Sequence, residues 1–177
     1  MHDCDLCGSD KATELPQAKK YGSGGVYVCD RCGFVYVRER RSPEEVAAEW
    51  DKFYGTAYSA NWPGIKARLY YVAEWFDQNY GWQGKSVLDI GAGEGAFLKI
   101  VRDRGEIASG LDPSEENCLN LEADGFPMFH RLVKAGDPPV GKFDVVTLLW
   151  TLENTTDCIG VLKWACSNLV EGGRIVV

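Results

Sequence analysis

Apolar and polar positions along the chain change their period twice. Ile65, Leu69, Val72 and Phe76 recur at helical spacing and predict a helix over Gly64–Gln78 with one apolar face. From residue 85 onward, short apolar runs alternate with helix-like stretches. SVLDI at 86–90 predicts a buried strand, Ala96–Arg104 a helix, Ile107–Leu111 a second strand and Ser114–Ala123 another helix. Pro127–His130 reads as a weak third strand and Phe143–Leu149 as a strong fourth. Cys158–Leu169 predicts a helix that Gly172 and Gly173 break, and Arg174–Val177 starts a fifth strand. Strands alternating with helices predict a doubly wound, mainly parallel α/β sheet.

The first forty residues follow another rule. Four cysteines, a Gly-rich turn at residues 22–25 and a β-like run at Phe34–Val37 replace the periodic apolar face. Three units result: residues 1–41, a helical aromatic linker or lid at 42–80, and the α/β unit at 81–177. At the first junction, Ser42 can cap a helix, Pro43 suits its first position and Glu45 completes a capping box. Cys4 and Cys7 form one Cys-x-x-Cys pair, Cys29 and Cys32 a second, with 21 residues between them. Gly8 and Gly33 follow the second cysteine of each pair. Two such knuckles put four thiolates around one tetrahedral zinc. A unit this small buries too little apolar surface to fold unaided, so the metal is expected to supply the missing free energy. Four protein ligands leave no open position, which makes the expected zinc structural. Cys118, Cys158 and Cys166 fall in helical stretches and read as small apolar residues.

The candidate chemistry lies in VLDIGAGEG. A strand ends at Asp89 and Ile90, and Gly91, Gly93 and Gly95 turn the chain into a helix. Glycines permit a tight turn and close approach of a ligand to the backbone. The helix N-terminus offers unpaired N–H donors. The next strand ends with Asp112, 17 residues after Gly95, where a carboxylate can accept hydrogen bonds from both hydroxyls of a ribose. A nicotinamide dehydrogenase uses a related loop. Here, however, the glycines run Gly-x-Gly-x-Gly, and an acid stands two residues before the first.

DIGAGEG, the acid at Asp112, FDVVTLLWTLE and LVEGGRIVV together resemble the class I S-adenosylmethionine-dependent methyltransferase family over roughly residues 50–177. The resemblance implies a Rossmann-like methyltransferase sheet and S-adenosylmethionine as cofactor. It places Gly91, Ala92, Gly93 and Gly95 against the methionine and ribose parts, with Asp89 orienting the loop. Asp112 and Pro113 would sit at the ribose, Trp150 and Thr151 near the methionine end. Many relatives carry Glu-His after the fourth strand, where this chain has Glu153-Asn154. The candidate general bases are therefore Glu153, Tyr54 and Tyr58. The Asn/Asp-Pro-Pro-Tyr motif of amide and adenine N-methyltransferases is absent. Ribbon, aromatic linker and core in combination resemble a bacterial group of deoxysugar C-methyltransferases and glycan-biosynthesis enzymes. This implies a small-molecule methyl acceptor, a sugar or other glycan-pathway metabolite. The competing reading is a zinc-ribbon docking protein on a non-catalytic methyltransferase-like scaffold.

Composition narrows the partners. The 177 residues are 45% hydrophobic and carry a net charge of −7. Residues 1–41 hold seven basic and six acidic side chains, residues 42–177 twelve and twenty. An acidic core speaks against nucleic acid, and Arg38, Arg40 and Arg41 read as a solvated junction. No run is long and apolar enough for a membrane span, and no export signal opens the chain. The expected compartment is the cytoplasm, where thiols stay reduced. Class I relatives continue past the fifth strand, whereas this sequence ends within it. A fragment, or a partner over that edge, is the expectation, and an uncovered edge invites self-association.

Overall fold

The computed structural model describes residues 1–21, 25–53 and 62–177, excepting the side chains of Lys19, Lys20, Tyr21, Asp51, Phe53 and Trp62. Two sheets organise the described residues. The N-terminal one is antiparallel, in the order β1 (Ala12–Glu14), β2 (Val26–Cys29), β3 (Val35–Val37). Its interior is small: Cys4, Cys29 and Tyr36 are its buried residues, with Cys7, Ala12 and Tyr27 packed on them.

Among the described residues, the helices α1 (Pro43–Phe53) and α2 (Trp62–Tyr80) follow. The capping box at α1 forms as the sequence predicts. Ser42 Oγ accepts from the Glu45 N–H at 3.1 Å, and Glu45 Oε2 accepts from the Ser42 N–H at 2.7 Å. On α2, Leu69, Ala73 and Phe76 are buried and Ile65 and Val72 pack beside them. The apolar stripe of the sequence is thus the buried face.

The second sheet is parallel throughout, with strand order β6-β5-β4-β7-β8. Its elements are β4 (Ser86–Ile90), α3 (Ala96–Arg102), β5 (Ile107–Asp112), α4 (Glu115–Ala123), β6 (Met128–His130), β7 (Phe143–Thr147), α5 (Cys158–Ser167) and β8 (Leu169–Val176). Alternation along the strands splits the core between two faces. Val87 and Val145 pack with Phe76, Trp82 and Phe97 on the side of α2 and α3. Leu88, Ile90, Val146 and Leu148 pack with Val161 and Trp164 of α5 on the other. Trp82 packs tilted against Phe76 at 4.1 Å between centroids, and its indole N–H donates to the Ala73 carbonyl at 2.8 Å.

The fifth strand departs from expectation. Helix α5 ends at Ser167, and β8 begins at Leu169, not Arg174. Phe143 pairs with Leu169, but Val145 pairs with Arg174, so the glycine pair lies in a bulge inside the ladder. Gly172, at φ 75°, takes the left-handed backbone that this bulge requires. Asn168, fully buried, is what stops the helix. It accepts from the Val140 N–H at 2.8 Å and donates to the Trp164 carbonyl at 2.8 Å.

Candidate functional site

A cavity of about 560 Å³ opens over the C-terminal ends of β4, β5 and β7. This is where ligands bind in open α/β sheets, outside the strand carboxyl ends at a reversal of strand order. Gly91, Ala92 and Gly93 form its floor, Asp112 and Pro113 one side, and the segment from Leu149 to Asp157 the other. Val46, Ala47 and Trp50 of α1 and Ile65, Arg68 and Leu69 of α2 complete the wall.

The glycine loop is shaped from both sides. Gly91 has φ 75°, and a methyl group on it would overlap the Thr151 side chain. Thr151 is fixed there by donating to the Ile90 carbonyl at 3.0 Å. The Gly91 and Ala92 N–H groups donate to the Leu111 carbonyl at 2.8 and 3.1 Å. Gly95, at φ 74°, starts α3, and a methyl there would overlap Leu121. It is not among the cavity-lining residues. Its glycine serves the packing of α3 against α4, which spacing alone does not distinguish from ligand approach.

Two buried carboxylates meet the loop. Asp112 is 2% exposed. It accepts from the Gly93 N–H at 2.8 Å and from the Ser114 N–H at 2.9 Å. The cap of α4 is Ser114, whose hydroxyl accepts from the Asn117 N–H at 3.4 Å. These two bonds fix the Asp112 carboxylate between the loop after β4 and the start of α4, at the side of the cavity. Asp89 accepts from the Thr147 hydroxyl at 2.5 Å. Burial raises its pKa to about 7 against the Thr147 hydrogen bond, and the Asp112 charge pushes the same way. A cation placed beside these two acids would be stabilised.

Trp150 has φ 56°, the left-handed conformation that bulky side chains rarely adopt. The residue is 43% exposed, and its ring faces the Arg68 guanidinium at 5.4 Å. Glu153 lines the cavity from a 3-10 turn at Leu152–Asn154, beside Asn154, which donates to the Trp150 carbonyl at 3.1 Å. Tyr54 and Tyr58 lie outside the described residues. Arg68, Arg131, Lys134 and Trp50 line the cavity without a sequence signal. They come from helix faces and from the irregular segment after β6, where no motif marks direction.

The four cysteines converge. Their Sγ atoms all lie within 4.8 Å of one another, with Cys4–Cys32 and Cys7–Cys29 at 3.5 Å. Sulfurs bound tetrahedrally to zinc at ~2.3 Å stand ~3.8 Å apart, so this cluster fits that ion. The knuckles turn at Gly8 and Gly33, whose N–H groups donate to the Cys4 and Cys29 carbonyls at 2.8 and 2.9 Å. Burial opposes ionisation of Cys29, yet the Cys32 and Arg31 backbone N–H groups and the Cys7 and Cys32 thiols bring its pKa down to about 6. The Cys32 thiol, though favoured by the Phe34 backbone N–H, is pushed up to about 12 by burial and the neighbouring sulfurs. A dication is what would let all four be thiolates together. All seven cysteines are free of disulfides.

Of the three arginines at the end of this unit, Arg40 departs from the expectation of a solvated junction, while Arg41 stays exposed. Arg38 donates to the His2 and Asp10 carbonyls, Arg41 pairs with Glu49, and Arg40 pairs with Asp5 with its side chain only 11% exposed. Among the described residues, no helix is long and apolar enough to cross a membrane.

Comparison with known proteins agrees with this geometry. The family described as Methyltransferase domain matches residues 65–177. The Ubiquinone biosynthesis O-methyltransferase of Pseudomonas paraeruginosa is 34% identical over 109 residues, covering 57% of this chain and 47% of the relative. That of Thiobacillus denitrificans is 36% identical over 106 residues, covering 56% and 45%. The chain thus spans about half the length of the curated relatives it matches. Among solved structures, the plantazolicin methyltransferase BpumL, in complex with a monoazolic desmethylPZN analog and SAH, superimposes with a TM-score of 0.61 at 17% identity, covering 75% of this chain and 58% of that one. The magnesium protoporphyrin IX methyltransferase of Synechocystis, with bound SAM, gives 0.58 at 17% identity, covering 76% and 74%. These two likenesses establish the fold.

Proposed function

This chain belongs to the methyltransferase domain family, and we propose on that premise that it transfers a methyl group from S-adenosylmethionine to a small-molecule acceptor. The observation that carries the reading is Asp112. It is a carboxylate buried at the end of β5, holding the Gly93 and Ser114 N–H groups and facing the cavity. In this reading Asp112 receives the ribose hydroxyls, and Gly91–Gly93 border the amino-acid end. Asp112 gives that end negative potential, to which Asp89 adds once ionised, complementary to a cationic ligand. S-adenosylmethionine supplies an electrophilic methyl on a sulfonium. The protein's task is then to align the acceptor, exclude water and take a proton where the acceptor carries one. Trp150 and Thr151 border the reacting end, and Glu153 is the described candidate for the proton.

The cavity volume of about 560 Å³ falls in the range of small-molecule sites. Arg40, buried against Asp5, is taken out of any phosphate-binding stripe. Within small molecules, a sugar or other glycan-pathway metabolite remains the finer reading. It rests on the pairing of a cysteine ribbon with this core. The ribbon is proposed to hold one structural zinc through Cys4, Cys7, Cys29 and Cys32, at residues 1–41, ahead of a helical unit at 42–80 and the cofactor-binding core at 81–177.

Calorimetry with S-adenosylmethionine and S-adenosylhomocysteine tests the cofactor assignment. Saturable one-to-one binding is expected. No binding by the metal-loaded chain, or tighter binding of a nicotinamide dinucleotide, would overturn it. Turnover against a panel of sugar nucleotides and quinone precursors tests the acceptor class.

A further inference from the structure

We propose that Arg40 is a positioning residue that couples metal occupancy of the cysteine cluster to the order of the cavity wall at residues 150–157. Its guanidinium donates from Nη1 to the Thr156 carbonyl at 2.6 Å. The same group makes a two-pronged contact with Asp5, Nη1 reaching Oδ1 at 3.0 Å and Nη2 reaching Oδ2. Nε donates to the Val37 carbonyl at 2.9 Å. Four of the five guanidinium N–H groups are thereby used, on side chains only 11% (Arg40) and 14% (Asp5) exposed.

The positions of the partners give this contact its consequence. Asp5 lies between Cys4 and Cys7, inside the first knuckle, so its place depends on what the cysteines hold. Thr156 belongs to the wall of the cavity, between the 3-10 turn at Leu152–Asn154 and α5. That wall contains Trp150 in the left-handed region. A residue in such a conformation persists only where its surroundings over-determine it. Most of the determining bonds are local: Thr151 to the Ile90 carbonyl, Asn154 to the Trp150 carbonyl, Thr155 to the Leu152 carbonyl and Asp157 to the Gly160 N–H. Arg40 adds a tie from outside the α/β unit, bridging 116 positions of sequence.

A bidentate arginine holds orientation as well as distance. When the first knuckle is set by a metal, Asp5 fixes the fork and the fork fixes the Thr156 carbonyl. When the knuckle loosens, Asp5 no longer orients the guanidinium and that tie to the wall is lost. Metal at the ribbon and ligand in the cavity then favour each other, and by linkage the coupling is reciprocal. The inference rests on the ribbon holding a metal. It does not rest on which cofactor fills the cavity.

Amide hydrogen exchange on the full chain tests it with and without a chelator, in wild type, Arg40→Ala and Arg40→Lys. Chelation of wild type is expected to speed exchange across residues 150–157 about tenfold, the loss of one charge-assisted hydrogen bond. Residues 86–90 and 107–112 should stay protected. Zinc-loaded Arg40→Ala should already show the faster exchange at 150–157, with residues 26–37 still protected, and chelation should add nothing further there. Arg40→Lys, keeping the charge and losing the fork, should fall between. Unchanged exchange at 150–157 on chelating wild type, or in loaded Arg40→Ala, overturns the coupling. So does equal, additive loosening by the two perturbations. Failure of S-adenosylmethionine to bind would overturn the cofactor reading and leave this measurement untouched.

Discussion

The ribbon and the α/β core solve the same problem with opposite means. The core buries apolar side chains on both faces of a five-stranded sheet, with Phe76, Trp82, Phe97, Leu88 and Trp164 among them. Among the described residues, the ribbon buries Cys4, Cys29 and Tyr36, and the Tyr36 hydroxyl is buried with no hydrogen-bond partner. What holds the core is spread over many contacts, each worth ~1–3 kcal/mol. On the proposal that the ribbon holds zinc, its stabilisation is concentrated in four sulfurs and one ion, a source on the order of 10 kcal/mol. Distributed stabilisation tolerates single losses, whereas concentrated stabilisation does not.

The largest expected effect therefore falls on the ribbon. Cys29→Ser should reduce metal content from one zinc per chain to a fraction, and should unfold residues 1–41. Metal analysis and amide exchange measure the two consequences, and β4, β5 and β7 should keep their protection. A ribbon that stays folded without metal would show that its antiparallel sheet suffices alone.

Next in size is the loss of a carboxylate at the seam of the core. Asp112→Ala removes the acceptor of two backbone N–H groups and of the proposed ribose hydroxyls. Hydrogen bonds to a charged group are worth ~1.5–3 kcal/mol each, so S-adenosylhomocysteine affinity should fall at least about tenfold by calorimetry. Asp112→Asn, keeping one acceptor oxygen, should fall less. Unchanged affinity in both would assign Asp112 to the Gly93 and Ser114 turns alone.

Asp89 gives the core a pH dependence of its own. An aspartate in an unfolded chain titrates near 3.9, and Asp89 in the fold titrates near about 7. Between these values the native state holds a proton that the unfolded state has released. Stability is therefore highest below about pH 4 on this account and falls as pH rises towards 7. Asp89→Asn should flatten that part of the profile in thermal melts across pH 4–8. A profile unchanged by the substitution would mean that Asp89 ionises normally.

The two regions also differed in how far their sequences could be read. Strand, glycine turn and strand-end acid in the core follow from short local patterns, and so does the pairing of Cys-x-x-Cys motifs. Gly95 looked like Gly91 because both need a left-handed backbone. Only packing separates them, since Gly95 makes room for Leu121 and Gly91 for Thr151. The start of β8 was hidden because a bulge places two glycines inside a strand, where sequence alone marks them as a stop. Arg40 was indistinguishable from Arg38 and Arg41, since its partners Asp5 and Thr156 lie 35 and 116 positions away. Strand periodicity is local information, and side-chain bridges between units are not.

The smallest expected effect tests the border between the two regimes. Ser42 caps α1 just beyond the ribbon, exchanging hydrogen bonds with Glu45. Ser42→Ala leaves the Glu45 N–H without its acceptor, a loss of about 1 kcal/mol at a helix N-cap. Among the described residues, none of α1 belongs to the two clusters of the core sheet, but Val46, Ala47 and Trp50 line the cavity. The cost should therefore appear as faster amide exchange within the first turn of α1, with the global melting temperature lowered by about 2–4 °C at most. Metal content should stay at one per chain, because no cysteine bond is touched. S-adenosylhomocysteine affinity should weaken by no more than a few-fold if α1 acts only as a wall. A loss as large as that of Asp112→Ala would instead make α1 part of the binding surface itself, and the boundary between lid and core at residue 80 would have to be redrawn.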